Sequence, residues 1–92
     1  MARQFHILFV CSGNICRSPM AEGYLRFKIP PRYKNGVRIM SAGTLGIEGM
    51  PASPNAVDVM QEQQIDISAH VSRGINQSLV DSSDLILTME KN

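Results

Sequence analysis

The strongest constraint on the fold is the passage in which the apolar run Ile7-Leu8-Phe9-Val10 meets Cys11-Ser12-Gly13-Asn14-Ile15-Cys16 and then Arg17-Ser18-Pro19. A short apolar run bounded by turn residues reads as a buried strand. Gly13 and Asn14 tolerate left-handed backbone and so suit a tight loop. Pro19 fits the first turn of a helix, where its missing N–H is not needed. Strand, loop and helix start follow one another without a gap. Such a loop gathers backbone N–H groups and the positive end of the helix dipole around one point.

The rest of the chain repeats this alternation. Ala21, Tyr24, Leu25 and Lys28 recur at helical spacing, flanked by Met20 and Phe27, so a helix is expected over about 17–29, ended by Pro30-Pro31. Asn35-Gly36 predicts a turn, and residues 37–40 a second short strand. Residues 41–54, punctuated by Gly43, Gly46, Gly49, Pro51 and Pro54, read as one long surface loop of the functional kind. Ser53 predicts a helix cap, with Pro54 at the first helical position and Ala56, Val57, Met60 and Gln64 on the inner face. A shorter helical stretch is expected near 73–80. Residues 84–89 read as a third strand with too little polarity to be half exposed. Near-continuous apolar strands alternating with helices predict an α/β fold of three layers, a parallel sheet with helices on both faces. Right-handed crossovers put the first strand in the centre, in the order 2-1-3. The loop at 11–16 then lies at the carboxyl end of the sheet, where open α/β sheets bind ligands.

Composition narrows the class. At 92 residues, 43% hydrophobic and 18% charged, the chain reads as one small globular domain over 1–92 with a modest core. A net charge of +1 argues for neither a nucleic-acid nor a membrane surface. The apolar run after Arg3 is short, contains His6 and lacks a small-residue cleavage site, so it is not a signal peptide and the expected location is cytoplasmic. Two cysteines, Cys11 and Cys16, cannot build a secreted disulfide framework. Together with His6 and His70 they would supply four zinc ligands, but the spacing is not that of a zinc site. No metal and no cofactor is expected.

Five residues separate Cys11 from Arg17. That spacing lets Ser12, Gly13, Asn14, Ile15 and Cys16 curl round one tetrahedral anion. Arg17 would grip two of its oxygens bidentately. Cys11, at the base of the loop, would sit in the same positive field, which favours the reactive thiolate. The expected chemistry is in-line attack of sulfur on phosphorus to give a phosphocysteine. A bare Cys-x5-Arg would ordinarily be a buried cysteine and a surface charge; the strand before it and the proline-started helix after it favour the chemical reading.

The string Val10-Cys11-x-Gly13-Asn14-x-Cys16-Arg17-Ser18-Pro19 resembles the signature of the low-molecular-weight protein tyrosine phosphatases. The resemblance continues through Ser41-Ala42-Gly43-Thr44, Ile65-Asp66-Ile67-Ser68-Ala69-His70, Ser72-Arg73 and residues 84–89. It implies that Cys11 is the nucleophile, that Arg17 clamps phosphate and transition state, and that the Ser18 hydroxyl lowers the Cys11 pKa. It also implies a network joining Asn14 to Ser18, Ser41 and His70 that keeps the loop preformed. Cys16 matches the family's second loop cysteine, which implies a reversible disulfide protecting Cys11. Taken singly, Ser41 could end a strand, His70 could cap a turn, and Cys16 could be a small buried apolar residue. The implied ligands are phosphate-like anions, and the implied substrates are phosphotyrosine-containing proteins or small aryl phosphates. Ile15 is expected in the pocket wall, where an apolar side chain suits an aryl group. In relatives acting on phosphoarginine a Thr at this place offers a polar contact. Leu45, Gly46, Ile47 and Glu48 stand where the family's variable wall often carries an aromatic, and none is present.

One part of the pattern is absent. Family members run to about one and a half times this length, still within one small domain. Their general acid is the aspartate of an Asp-Pro pair in the last third. Asp58, Asp66, Asp81 and Asp84 all lack a following proline, so no general acid is expected in this chain. Loss of such an acid costs about 10²–10⁴ in rate. A missing fourth strand would leave residues 85–88 as an open apolar edge that invites self-association. Carboxyl-terminal truncation is the expectation, with a natural short form or assembly with another chain as alternatives. The leading activity is a phosphotyrosine phosphatase. Its rivals are a catalytically weak phosphate-binding or phosphoprotein-binding module, a phosphoarginine phosphatase, and a thiol-dependent arsenate reductase. The last needs further redox cysteines, and none follows Cys16.

Overall fold

In a computed structural model that describes residues 3–89, three strands form one parallel sheet: β1 (Phe5–Cys11), β2 (Val37–Gly43) and β3 (Leu85–Thr88). β1 lies in the centre, in the order β2-β1-β3, as right-handed crossovers require. Its register matches Cys11 with Gly43 on one side and Phe9 with Leu87 on the other. The helices are α1 (Arg17–Lys28), α2 (Pro54–Glu62) and α3 (Gln77–Ser82).

Side chains alternate across the sheet, so β1 serves two cores. Leu8 and Val10 face one way and join Ala42 in a buried cluster with Met40, Ile75 and Leu79, which places α3 on that face. Ile7, Phe9 and Cys11 face the other way, beneath α1. A second cluster of Ala52, Ala56, Met60, Ile65 and Ile67 packs on Met20 and so joins α2 and the segment after it to α1. The result is the expected three-layer α/β arrangement. Among the described residues, no helix is long and apolar enough to cross a membrane.

Several local expectations are corrected. β2 runs to Gly43 rather than ending at 40, because Ser41, Ala42 and Gly43 pair in register with Phe9, Val10 and Cys11. The sequence there looks like loop because its small residues are chosen for close packing. The turn expected at Asn35-Gly36 is the end of a 3₁₀ helix over Pro31–Gly36. The helix expected near 73–80 begins only at Gln77, after the Asn76 side chain accepts the Leu79 N–H at 2.8 Å. Upstream of it, Gly74 forms an isolated parallel bridge with Gly43, so the backbone is extended. Ser53 caps α2 as expected, but Gln64 lies beyond the helix, exposed and at φ 62°.

Two apolar faces are open. Tyr24 and Phe27 of α1 are 49% and 54% exposed, whereas Gly23 faces Ile67. β3, expected to be buried from its composition, is exposed along its whole length. It is an edge strand, hydrogen-bonded to β1 alone among the described strands.

Candidate active site

β1 delivers Cys11 to the carboxyl edge of the sheet, where it is buried at 3% exposure. The chain then turns through 12–16 into the start of α1. The turn is possible because Asn14 takes a left-handed φ of 57°, which asparagine tolerates better than most residues. The end of β2 supports the turn from outside. Thr44 N–H donates to the Cys11 carbonyl and Leu45 N–H to the Ser12 carbonyl, each at 2.9 Å. Gly43 makes this approach possible: a Cβ there would stand 2.7 Å from Ser12 O and 2.9 Å from Asn14 N. Contacts that short with backbone cannot be relieved by a rotamer change.

Asn14 is fully buried and organises the loop. Its Nδ2 donates to Ser18 Oγ at 2.8 Å and to Ser41 Oγ at 2.9 Å. Its Oδ1 accepts the Arg73 N–H at 2.9 Å. His70 Nε2 lies 2.7 Å from its backbone carbonyl, so the imidazole meets the main chain of Asn14 and not its amide. Ser41 in turn donates to a Glu22 carboxylate oxygen, and Glu22 is ion-paired with Arg26. The residues implied as a network, Asn14, Ser18, Ser41 and His70, are therefore in one hydrogen-bonded group. Burying this many polar atoms is tolerable only because all are partnered.

The Cys11 sulfur lies 2.9 Å from Ser18 Oγ and receives the Asn14 N–H at 3.2 Å. Burial pushes the Cys11 thiol up. The Ser18 hydroxyl and the backbone N–H groups of Ser18, Asn14 and Gly13 outweigh it, and the thiol ends below its ordinary value. A lowered pKa favours the thiolate, the nucleophilic form of cysteine.

The other expected residues lie around this centre. Arg17 opens α1 and is exposed. Cys16 occupies the helix cap position and is exposed, which removes its reading as a small buried residue; both cysteines are free thiols. Ile15 is half-buried, and its Cγ1 stands 3.5 Å from where a Cβ on Gly13 would lie. Ile47 Cδ1 stands 3.9 Å from the same point. Ser12 and Gly13 are half-buried in the turn. Among the described residues, no group of three or more His, Cys, Asp or Glu could hold a metal ion. Three contributors were missed in the sequence: Glu22 behind Ser41, the Arg73 backbone behind Asn14, and Gly43 beneath the loop. Only Gly43 had a local signal, a glycine directly after the small residues Ser41-Ala42. The other two act through contacts distant along the chain.

Comparison with known proteins agrees with this geometry. The family model described as "Low molecular weight phosphotyrosine protein phosphatase" matches residues 6–92. The chain is 50% identical over 84 residues to the probable low molecular weight protein-tyrosine-phosphatase EpsP of Ralstonia nicotianae, a match covering 91% of this chain and 54% of the relative. Among solved structures, it is similar to the YwlE arginine phosphatase of Geobacillus stearothermophilus, with a TM-score of 0.82 and 40% identity over 92% of this chain and 52% of that one. It is also similar to Vibrio vulnificus Wzb in complex with benzylphosphonate, with a TM-score of 0.81 and 35% identity over 95% of this chain and 59% of that one. The chain spans about half the length of the curated relatives it matches. With a match over residues 6–92, a shared α/β topology and a loop whose cysteine has a lowered pKa, the chain belongs to the low molecular weight phosphotyrosine protein phosphatase family.

Proposed function

We propose that residues 1–92 act as one domain of a phosphomonoester hydrolase, with Cys11 as nucleophile and Arg17 as phosphate clamp. The observation that carries the reading is the Cys11 sulfur, held 2.9 Å from the Ser18 hydroxyl and 3.2 Å from the Asn14 N–H, with its pKa lowered. The Cys11 thiolate attacks phosphorus; an S–P bond forms as the bond to the alcohol oxygen breaks, and that oxygen leaves with the electron pair. Backbone N–H groups of the loop and the Arg17 guanidinium stabilise the charge on the equatorial oxygens. Water then attacks the phosphocysteine, giving inorganic phosphate and restoring the thiolate.

The apolar pair Ile15 and Ile47 favours an aryl phosphate, and phosphotyrosine in a protein is the substrate class we assign. The aspartates lack a following proline, and three of them hold other partners: Asp66 accepts Ser68 N–H, Asp81 accepts Gln77 Nε2, and Asp84 accepts His6 N–H. The test is hydrolysis of p-nitrophenyl phosphate, whose phenolate is a good leaving group. Turnover by the chain and its loss in Cys11→Ser, with vanadate still bound, is the expected result. Turnover retained in Cys11→Ser would remove Cys11 from the role. Absence of turnover from a chain whose Cys11 alkylates readily would favour a phosphate-binding module.

A further inference from the structure

The strap from Ser72 to Ile75 reaches beyond Asn14 to the loop that follows β2. Met50 N–H donates to Ser72 Oγ at 2.9 Å, Ser72 N–H to Met50 O at 2.7 Å, and Gly49 N–H to Ser72 O at 3.0 Å. At its other end the loop is tied by Leu45 N–H on Ser12 O at 2.9 Å. Between these anchors lie Gly46, Ile47 and Glu48. A hydrogen bond donated by Gly74 N–H to Glu48 Oε2, at 2.7 Å, ties them to the strap. Gly46 and Gly49 sit at φ +72° and +80°, a conformation that glycine adopts without strain. Gly74 lies so close that a Cβ on it would stand 2.8 Å from Gly46 Cα. Ile47, next to Glu48, is half-buried and points its Cδ1 to the same side of Gly13 as Ile15.

We propose that Glu48 is a positioning residue for the organic part of the substrate: its bond to Gly74 holds Ile47 beside Ile15 as the second half of an apolar wall. The proposal rests on the anion-site reading above and goes beyond it, by separating recognition of the ring from recognition of the phosphoryl group. The phosphoryl group is held by the loop at 11–17, whereas the Glu48 carboxylate is bonded to Gly74 on the strap. The Glu48 charge acts on every phosphate alike. The ratio of affinities for two ligands with the same head group and different organic parts therefore isolates the wall.

The experiment measures dissociation constants of benzylphosphonate and methylphosphonate by calorimetry for the full chain, Glu48→Ala, Glu48→Gln, Ile47→Ala and the double alanine variant. The wild type is expected to prefer the benzyl ligand. Glu48→Ala should reduce that preference by about five- to tenfold, with methylphosphonate binding changed less than about twofold. Glu48→Gln keeps a carbonyl acceptor for Gly74 and should keep the preference. Ile47→Ala should lose as much as Glu48→Ala, and the double variant no more than either, because both remove one wall. The proposal is overturned if the preference survives Glu48→Ala, if methylphosphonate binding falls in parallel, if Gln fails as Ala does, or if the two alanine effects add. A wild type that binds neither phosphonate overturns the anion site together with this proposal, a result distinct from bound ligands with an unchanged ratio.

Discussion

Asn14 Oδ1 accepts the backbone N–H of Arg73 at 2.9 Å, across 59 positions of sequence. That bond orients the whole centre. With Oδ1 taken, both amide hydrogens of Asn14 go to hydroxyl oxygens, one to Ser18 and one to Ser41. Ser18 Oγ thus accepts from Asn14, and its own proton is free to face the Cys11 sulfur. Ser41 donates its own hydrogen bond to Glu22. The directions of the Ser18 and Ser41 bonds follow from the one amide.

Asn14→Asp tests that direction. It keeps the shape and the left-handed tolerance but replaces two donors with acceptors. Ser18 must then donate to the new carboxylate, and a negative charge enters beside the sulfur. The Cys11 pKa is expected to rise, and the rate of alkylation by iodoacetamide at pH 6 to fall. An unchanged pH profile of alkylation would sink the idea. Asn14→Ala should cost about 2–4 kcal/mol of stability, because buried partners lose their bonds.

Ser18→Ala removes the largest influence that lowers the Cys11 pKa, while burial continues to raise it. The thiol pKa should move up and the alkylation rate at pH 6 should drop by about ten- to a hundredfold, as for loss of a hydrogen bond to a charged group. Linkage adds a stability signature. A native pKa below the ordinary 9.0 stabilises the fold fully above that value, and the contribution is lost as pH falls through the native value. Urea titrations of wild type and Ser18→Ala should diverge as pH rises across this window, with the wild type gaining.

Gly43→Ala should disable the anion loop while sparing the sheet. The added Cβ would stand 2.7 Å from Ser12 O and 2.9 Å from Gly13 C, so the loop backbone must move. Vanadate affinity is expected to fall at least about tenfold, the scale of a misplaced donor or two. Gly36→Ala, with nothing within 4 Å, is the matched control and should bind normally. Equal affinity in the two variants would contradict the account of the loop.

Ile15→Thr exchanges an apolar wall for one with a hydroxyl. The ratio of phosphoarginine to phosphotyrosine hydrolysis should rise, by about tenfold if one side chain sets the preference. Assays of the two substrates on the same preparation read the ratio directly, and a constant ratio would show that Ile15 does not set it.

The central strand, the loop and the cysteine at its base were legible because they are contiguous. Apolar run, Cys11, Gly13-Asn14, Arg17 and Pro19 each state a local preference, and all agree on a strand, a turn and a helix start. The order of the three strands followed from the handedness of crossovers. The ends of elements were less legible. β2 gains Ser41–Gly43 only through pairing with β1, and 73–76 stays extended only because Gly43 N–H and O bond across to it. These preferences are set by a neighbour in space, and small polar residues give no sign of them in one dimension.

The sequence alone determined that a loop bearing Gly13 and Asn14 would stand at the carboxyl end of a parallel sheet, with Cys11 at its base. It could do so because strand periodicity, left-handed tolerance and helix-start chemistry are properties of adjacent residues. The family resemblance already implied Ser18 beside Cys11 and Ser41 beside Asn14; only the tertiary structure decided the partners behind them, the Arg73 N–H on Asn14, Glu22 on Ser41 and the bond between Gly74 and Glu48. Most of those partners are separated by tens of residues. A hydrogen bond depends on ångström-scale placement, which packing supplies and residue order does not.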